Sequence, residues 1–313
     1  MLDTPFEGCS YKEALRLATE VEEESLFESA AKIREHFFCN SIQLCMIINA
    51  KCGKCSMDCT FCSQSMHHGA NSDIYPLFQP SQLAEQIKNL SENGIHHCGI
   101  VASGDRLKSQ EVDSICQALL MTKNSISFNV CASLGRLSNE DIKKLKKVGL
   151  VRYHHNLETS ERHYPSICST QTWQERLSTV KRAIESGLEV CAGGLFGLGE
   201  TWEDRIDLAI ALRDLGVNSV PINFLHPQPG TPLENKPLMP AEEALRIIAV
   251  YRHLLPNTTL RICGGRPGVL KERQKDMFRA GANALMTGNY LTTSGQIPES
   301  DVQMIKALGL KIA

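Results

Sequence analysis

The sixteen residues AKCGKCSMDCTFCSQS (50–65) concentrate the most reactive side chains of the sequence. Cys55, Cys59 and Cys62 follow a C-x3-C-x2-C spacing directly after the apolar run QLCMIIN (43–49). Three thiolates on one short loop suit three irons of a four-iron cubane, with the fourth iron left open to a ligand from outside the chain. Ferredoxin-type loops supply four cysteines per cluster in a regular run, which this loop lacks. Cys52 shares the stretch but lies too close to Cys55 to replace it without strain. The competing reading is a purely structural zinc or iron–sulfur loop.

A second set is scattered. Cys98, Cys131 and Cys191 stand in three separate apolar segments, HHCGIVA, FNVCAS and LEVCAGG, and Arg261 stands in a fourth, TLRIC. Any one such cysteine is most often a small core residue. Three at comparable depth on strands of one barrel would converge on its lumen. An arginine there needs an anionic partner, because a buried guanidinium without one is costly. A cluster with sulfide and thiolate charge would supply it. Cys263 lies two residues beyond Arg261, so on a strand both point the same way. Cys45 lies on the first apolar run. Both are candidate additional ligands, and with them the site suits a four-iron cluster better than a two-iron one. Against this stands the plain reading that they are small hydrophobes in a chain with 13 cysteines.

The elements that must position these residues recur down the chain as a capped helix, a glycine and a short apolar strand. Ser81, Ser138, Thr172 and Thr201 are the expected caps; Thr172 with Glu175, and Thr201 with Asp204, form capping boxes. Gly94, Gly149, Gly187, Gly216 and Gly281 suit the left-handed position beyond a helix. The strands IHHCGIVA, LVRYHHN, LEVCAGG, VNSVPIN and ANALMTG follow them, and QLCMIIN, ISFNVCA and TTLRIC bring the number to eight. Alternating strands and helices imply a parallel sheet. Eight units imply a (β/α)8 TIM-type barrel over 41–313 as one domain, with a helical extension over 1–40. An open doubly wound sheet competes, but no GxGxxG follows the first strand.

Composition narrows the classes. With 42% hydrophobic and 22% charged residues the chain is globular, and a formal net charge of −2 argues against broad capture of nucleic acid. No apolar run is long enough to span a bilayer. MLDTPFEGCSYKE has neither a basic start nor an apolar core, so no secretory signal is expected, and a cytoplasmic location is.

With Phe61 just before its last cysteine, the loop resembles the radical S-adenosylmethionine (SAM) signature. Within that superfamily the chain resembles the biotin synthase family over nearly its whole length, through HHCGIVASG, FNVCASLGRLS, YHHNLETS (153–160), TWQERL (172–177), LEVCAGGLFGLGET, VPINFLHPQPGTPLE (220–234), LRICGGR and GNYLTT (288–293). The resemblance implies a [4Fe-4S] cluster on Cys55, Cys59 and Cys62, and SAM contacts from Phe61, Asn156, Glu158 and Arg176. It implies an auxiliary [2Fe-2S] cluster on Cys98, Cys131, Cys191 and Arg261, and dethiobiotin contacts from His154, Asn156 and Asn223. Asn223 also reads as a strand-end cap, and His154 as a satisfied barrel histidine.

The implied reaction inserts sulfur between C6 and C9 of dethiobiotin: an adenosyl radical abstracts hydrogen at each carbon in turn, and the auxiliary cluster donates the sulfur. An electron donor such as flavodoxin or ferredoxin, iron–sulfur assembly proteins and a homodimer are implied with it. The rivals are another radical enzyme on the same barrel, such as the maturase of iron-only hydrogenase or a methylornithine synthase, and a non-catalytic iron–sulfur carrier.

Overall fold

A computed structural model describes residues 7–90 and 94–313. Its strands are β1 (Ser41–Lys51), β2 (His97–Ala102), β3 (Asn129–Ser133), β4 (Arg152–His154), β5 (Glu189–Cys191), β6 (Gly194–Phe196), β7 (Ser219–Phe224), β8 (Thr259–Ile262) and β9 (Ala284–Met286). All pair in parallel, and β9 returns to β1 through Gln43↔Ala284 and Cys45↔Met286, which closes the barrel. The fifth expected strand is split. After Cys191 the chain passes Gly193, where a Cβ would lie 2.1 Å from the Pro221 carbonyl oxygen, and resumes as β6 against β7. A tenth strand, β10 (Lys311–Ile312), pairs with the start of β1 and had no counterpart in the sequence reading.

Helices α3 (Pro80–Asn89), α4 (Ser109–Thr122), α5 (Asn139–Lys147), α6 (Trp173–Glu185), α7 (Trp202–Asp214) and α8 (Ala241–Leu254) connect successive strands. Thr172 and Thr201 form the two expected capping boxes, and Ser138 accepts from the Asp141 N–H. Ser81 is not a cap. Pro80 opens α3 at its first turn, where its fixed φ suits the helix and its missing N–H costs nothing, so Ser81 falls inside. Ahead of β1, α1 (Tyr11–Thr19) and α2 (Glu23–Phe38) pack on α7 and α8. The first six residues of the expected extension lie outside the described residues. The hydrophobic core runs through both faces of α8, which is why that helix is buried nearly all round. Among the described residues no helix is long and apolar enough to cross a membrane.

Candidate active site

Side chains alternate along each strand, so register decides which residues meet in the lumen. Cys45 aligns with His97, Gly99 with Cys131, Cys131 with Arg152, and His154 with Cys191. Together with Arg261 and Cys263 these residues line a cavity of about 360 Å3. Four of the scattered cysteines thus reach one space: Cys45, Cys131, Cys191 and Cys263. Cys98 does not. On β2 the cavity is lined by His97, Gly99 and Val101, while Cys98 turns to the opposite face with Ile100 and Ala102, in the hydrophobic core. Strand parity sets Cys98 on the other face of β2 from Gly99, which holds the lumen position beside Cys131, while burial, then Cys131 and Cys45, raise the Cys98 thiol.

The electrostatics of the lumen favour an anion that the chain does not itself supply. Arg261 is buried; its Nη2 donates to Gln43 Oε1 at 3.2 Å, and its Nη1 has no hydrogen-bond partner among the described residues. Arg152, also buried, donates to Glu189 Oε2 at 2.6 Å. Burial would raise the Cys191 thiol, but His154, Arg152 and Arg261 overcome this and bring it down to about 6. Burial dominates at Cys131, which is pushed up to about 12 despite Arg152, and it raises Cys45 and Cys263 as well. His97 is pushed down to about 3 by burial, then Arg152 and Arg261, so its imidazole is neutral. Four thiols around an unpartnered guanidinium N–H fit an iron–sulfur cluster, whose iron charge would deprotonate the thiols and whose sulfur would accept from the arginine.

The loop 50–65 is fastened at both ends. Cys55 N–H donates to Gln64 O at 2.9 Å, Met66 N–H to Cys55 O at 2.8 Å, and Cys62 N–H to Cys59 O at 3.0 Å. Asp58 receives the Ser169 N–H at 2.9 Å and the Thr170 hydroxyl at 2.8 Å, which ties the loop to the segment before α6. Burial would raise the Asp58 carboxyl, but these hydrogen bonds hold it well below the usual range. Cys52 is occupied elsewhere: its thiol donates to Gln64 Oε1 at 3.1 Å and its backbone pairs with Tyr75. Burial pushes the Cys62 thiol up to about 11. Cys168, whose thiol donates to Asp58 Oδ1 at 3.2 Å, raises the Cys59 thiol, and burial adds to the effect. Among the described residues no three His, Cys, Asp or Glu groups close on one point as a single metal ion requires. The three thiols of the loop are one fewer than the four ligands of a structural zinc site.

A polar network borders both thiol sets. Arg176 donates from Nε to Asn156 O at 2.6 Å, from Nη1 to Gln171 Oε1 at 2.8 Å and from Nη2 to Glu158 Oε1 at 2.9 Å. Asn156 Oδ1 lies 3.1 Å from His154 Nε2 and accepts from Gly193 N–H at 3.2 Å. Glu158 sits at φ +70°, in the left-handed region, held there by Leu195 N–H donating to its carbonyl at 2.8 Å. Arg176 and Glu158 line the cavity, and their charges act on Cys59 and Cys62 respectively. Asn223 also lines the cavity, but its amide links β6 to the turn after β8, donating to Gly194 O at 3.1 Å and accepting from Gly264 N–H at 3.0 Å. Phe61 packs against the core and does not border the cavity. Arg152 and His97 were missed; their signal was a polar side chain two residues from a lumen residue, His154 and Gly99.

Known families and proteins match the chain over nearly its whole length. The Radical SAM superfamily model matches residues 51–212, and the Biotin and Thiamin Synthesis associated domain matches 221–311. The biotin synthase of Desulfovibrio desulfuricans is 52% identical over 300 residues, covering 96% of this chain and 95% of the relative. That of Heliobacterium modesticaldum is 42% identical, covering 92% and 88%. Among solved structures, methylornithine synthase superposes with a TM-score of 0.83 at 22% identity, covering 97% of this chain and 94% of that one. A maturase of the [FeFe]-hydrogenase does so with 0.83 at 18%, covering 97% and 72%. Both rivals share the barrel, and at such identity the likeness extends to the fold alone. With two family models laid along the barrel and relatives aligned from end to end, the chain belongs to the biotin synthase family of radical SAM proteins.

Proposed function

We propose that this protein inserts sulfur between C6 and C9 of dethiobiotin to give biotin. The observation that carries the reading is one barrel with two thiol sets: the loop of Cys55, Cys59 and Cys62, and the lumen group of Cys45, Cys131, Cys191 and Cys263, with Arg176 and Glu158 bordering both. Cys55, Cys59 and Cys62 would hold a [4Fe-4S] cluster; Phe61, Asn156, Glu158 and Arg176 would hold SAM; and His154, Asn156 and Asn223 would face dethiobiotin. The four lumen thiols, with Arg261 beside them and without Cys98, would hold the auxiliary cluster, and their number favours the four-iron type over [2Fe-2S]. When bound, the loop cluster supplies the electron that cleaves SAM to an adenosyl radical, and the auxiliary cluster supplies the sulfur.

The chain's own part is positioning and charge balance. Arg176 fixes Glu158 and the Asn156 backbone, so the cofactor contacts are set before anything binds. His154 pairs with Cys191 and steadies its thiolate in a buried space. Arg261 offers an N–H and a positive charge to whatever the thiols hold. Tyr290, Leu291, Thr292 and Thr293 wall the cavity and limit the access of water to it.

We also propose one barrel domain over 41–313 with a helical extension over 1–40. Strand β7, where the second family model begins, is hydrogen-bonded to β6 on one side and β8 on the other, which supports one unit. Thirteen free thiols suit a reducing, cytoplasmic compartment. A homodimer, a flavodoxin or ferredoxin donor and iron–sulfur assembly partners are carried over from the family. The test is anaerobic reconstitution followed by assay of 5′-deoxyadenosine and biotin. Biotin formed only with dethiobiotin and SAM together supports the reading; 5′-deoxyadenosine formation with no biotin under any reconstitution rejects it.

A further inference from the structure

We infer that His97 is a positioning residue for the sulfur source: its Nε2–H donates a hydrogen bond to a sulfur of the auxiliary cluster. This rests on the reading of the lumen thiols as ligands of that cluster. His97 stands in register beside Cys45, on the strand whose Gly99 lies beside Cys131, and its side chain lines the cavity. Among the described residues its buried Nδ1 has no partner, and none bonds its other ring nitrogen. A buried N–H without a partner is rarer than a bare acceptor, so the proton belongs on Nε2, the nitrogen that is not closed off. The charged side chains that act on it most strongly, Arg152 and Arg261, are cations and cannot accept from it. The carboxylate on Arg152, that of Glu189, is taken by that arginine. Among the described residues none offers His97 an acceptor, and the group that the thiols hold is placed to supply one. A donor aimed at cluster sulfur stabilises the electron-richer state and raises the reduction potential.

The experiment uses the reconstituted holoenzyme, His97→Leu and His97→Gln, with the parent also grown on 15N-labelled histidine. Pulsed electron paramagnetic resonance of the reduced auxiliary cluster should show a weak nitrogen coupling that responds to the label and is lost in His97→Leu. The potential should move negative in His97→Leu and return part of the way in His97→Gln, whose amide N–H can reach the same sulfur. A label-dependent coupling that persists in His97→Leu, or an unmoved potential, overturns the inference. Loss of auxiliary iron in both variants also overturns it, because His97 would then hold iron rather than tune it. A parent with only about four irons per chain would remove the auxiliary site itself; about eight irons without the histidine coupling would reject the His97 role alone.

Discussion

Cys55, Cys59 and Cys62 lie together on one loop pinned by its own backbone, whereas Cys45, Cys131 and Cys191 come from three strands and Cys263 from the residue just after a fourth, β8, and they meet only because those strands hold register. The loop set is local: its spacing is its geometry, and hydrogen bonds such as Met66 N–H to Cys55 O belong to the same short stretch. The lumen set is collective. Sliding any strand by one residue would turn its thiol from the cavity to the hydrophobic core. Cys98 makes the point without any mutation, since it is one residue from the lumen position and lies on the other face.

The sharpest way to break the comparison is to remove one thiol from each set. Cys59→Ala should abolish reductive cleavage of SAM altogether. Cys131→Ala should keep 5′-deoxyadenosine formation and lose biotin. Equal loss of both products in Cys131→Ala would mean that the two sets are one functional unit.

A collective site should also depend on distant anchors. Three residues beyond Cys263, Arg266 makes a fully buried bidentate pair with Asp301, at 2.9 and 2.7 Å. Asp301→Ala leaves that guanidinium buried and unpaired and should cost about 3–5 kcal/mol of stability, read by denaturant unfolding of the apo-protein. A cost under about 1 kcal/mol, the range of an exposed pair, would show that the anchor is dispensable.

The thiols of the lumen should titrate apart. In the apo-protein the Cys191 thiol is lowered to about 6 and Cys131 raised to about 12, so Cys191 is the thiolate at neutral pH. Iodoacetamide should label Cys191 with a midpoint near pH 6, leaving Cys131 unreacted below pH 9. The sign for stability follows. A depressed thiol pKa stabilises the folded apo-protein above the unfolded value of about 9, and this is lost as pH falls through about 6. His154→Gln should move the labelling midpoint upward; an unchanged midpoint would remove His154 as the cause.

The smallest effect belongs to the helix that brings Arg176 to the network. Thr172 accepts from the Glu175 N–H at the start of α6, and Thr172→Ala should cost about 1 kcal/mol in thermal unfolding while the loop cluster is retained.

The barrel was legible because each unit announces itself, with Thr172 and Glu175 at a helix start and Gly187 at positive φ beyond its end. The loop was legible because three cysteines in one stretch need no tertiary fold to be read. What the sequence could not fix was parity. HHCGIVA places a cysteine at the right depth, and only the pairing of Cys45 with His97 reveals which of His97, Cys98 and Gly99 face inward. Arg152 and His97 were hidden for the same reason, since a charged or polar residue in a short strand declares its face only against its neighbours.

The central claim is that the lumen thiols, and not Cys98, hold the auxiliary cluster. Iron content with Mössbauer spectroscopy of anaerobically reconstituted Cys98→Ala and Cys263→Ala tests it most directly. The account predicts that Cys98→Ala keeps the parent's iron count of about eight per chain and its biotin yield, whereas Cys263→Ala loses auxiliary iron. Loss of the auxiliary cluster in Cys98→Ala, with Cys263→Ala unchanged at about six irons in both it and the parent, would contradict it.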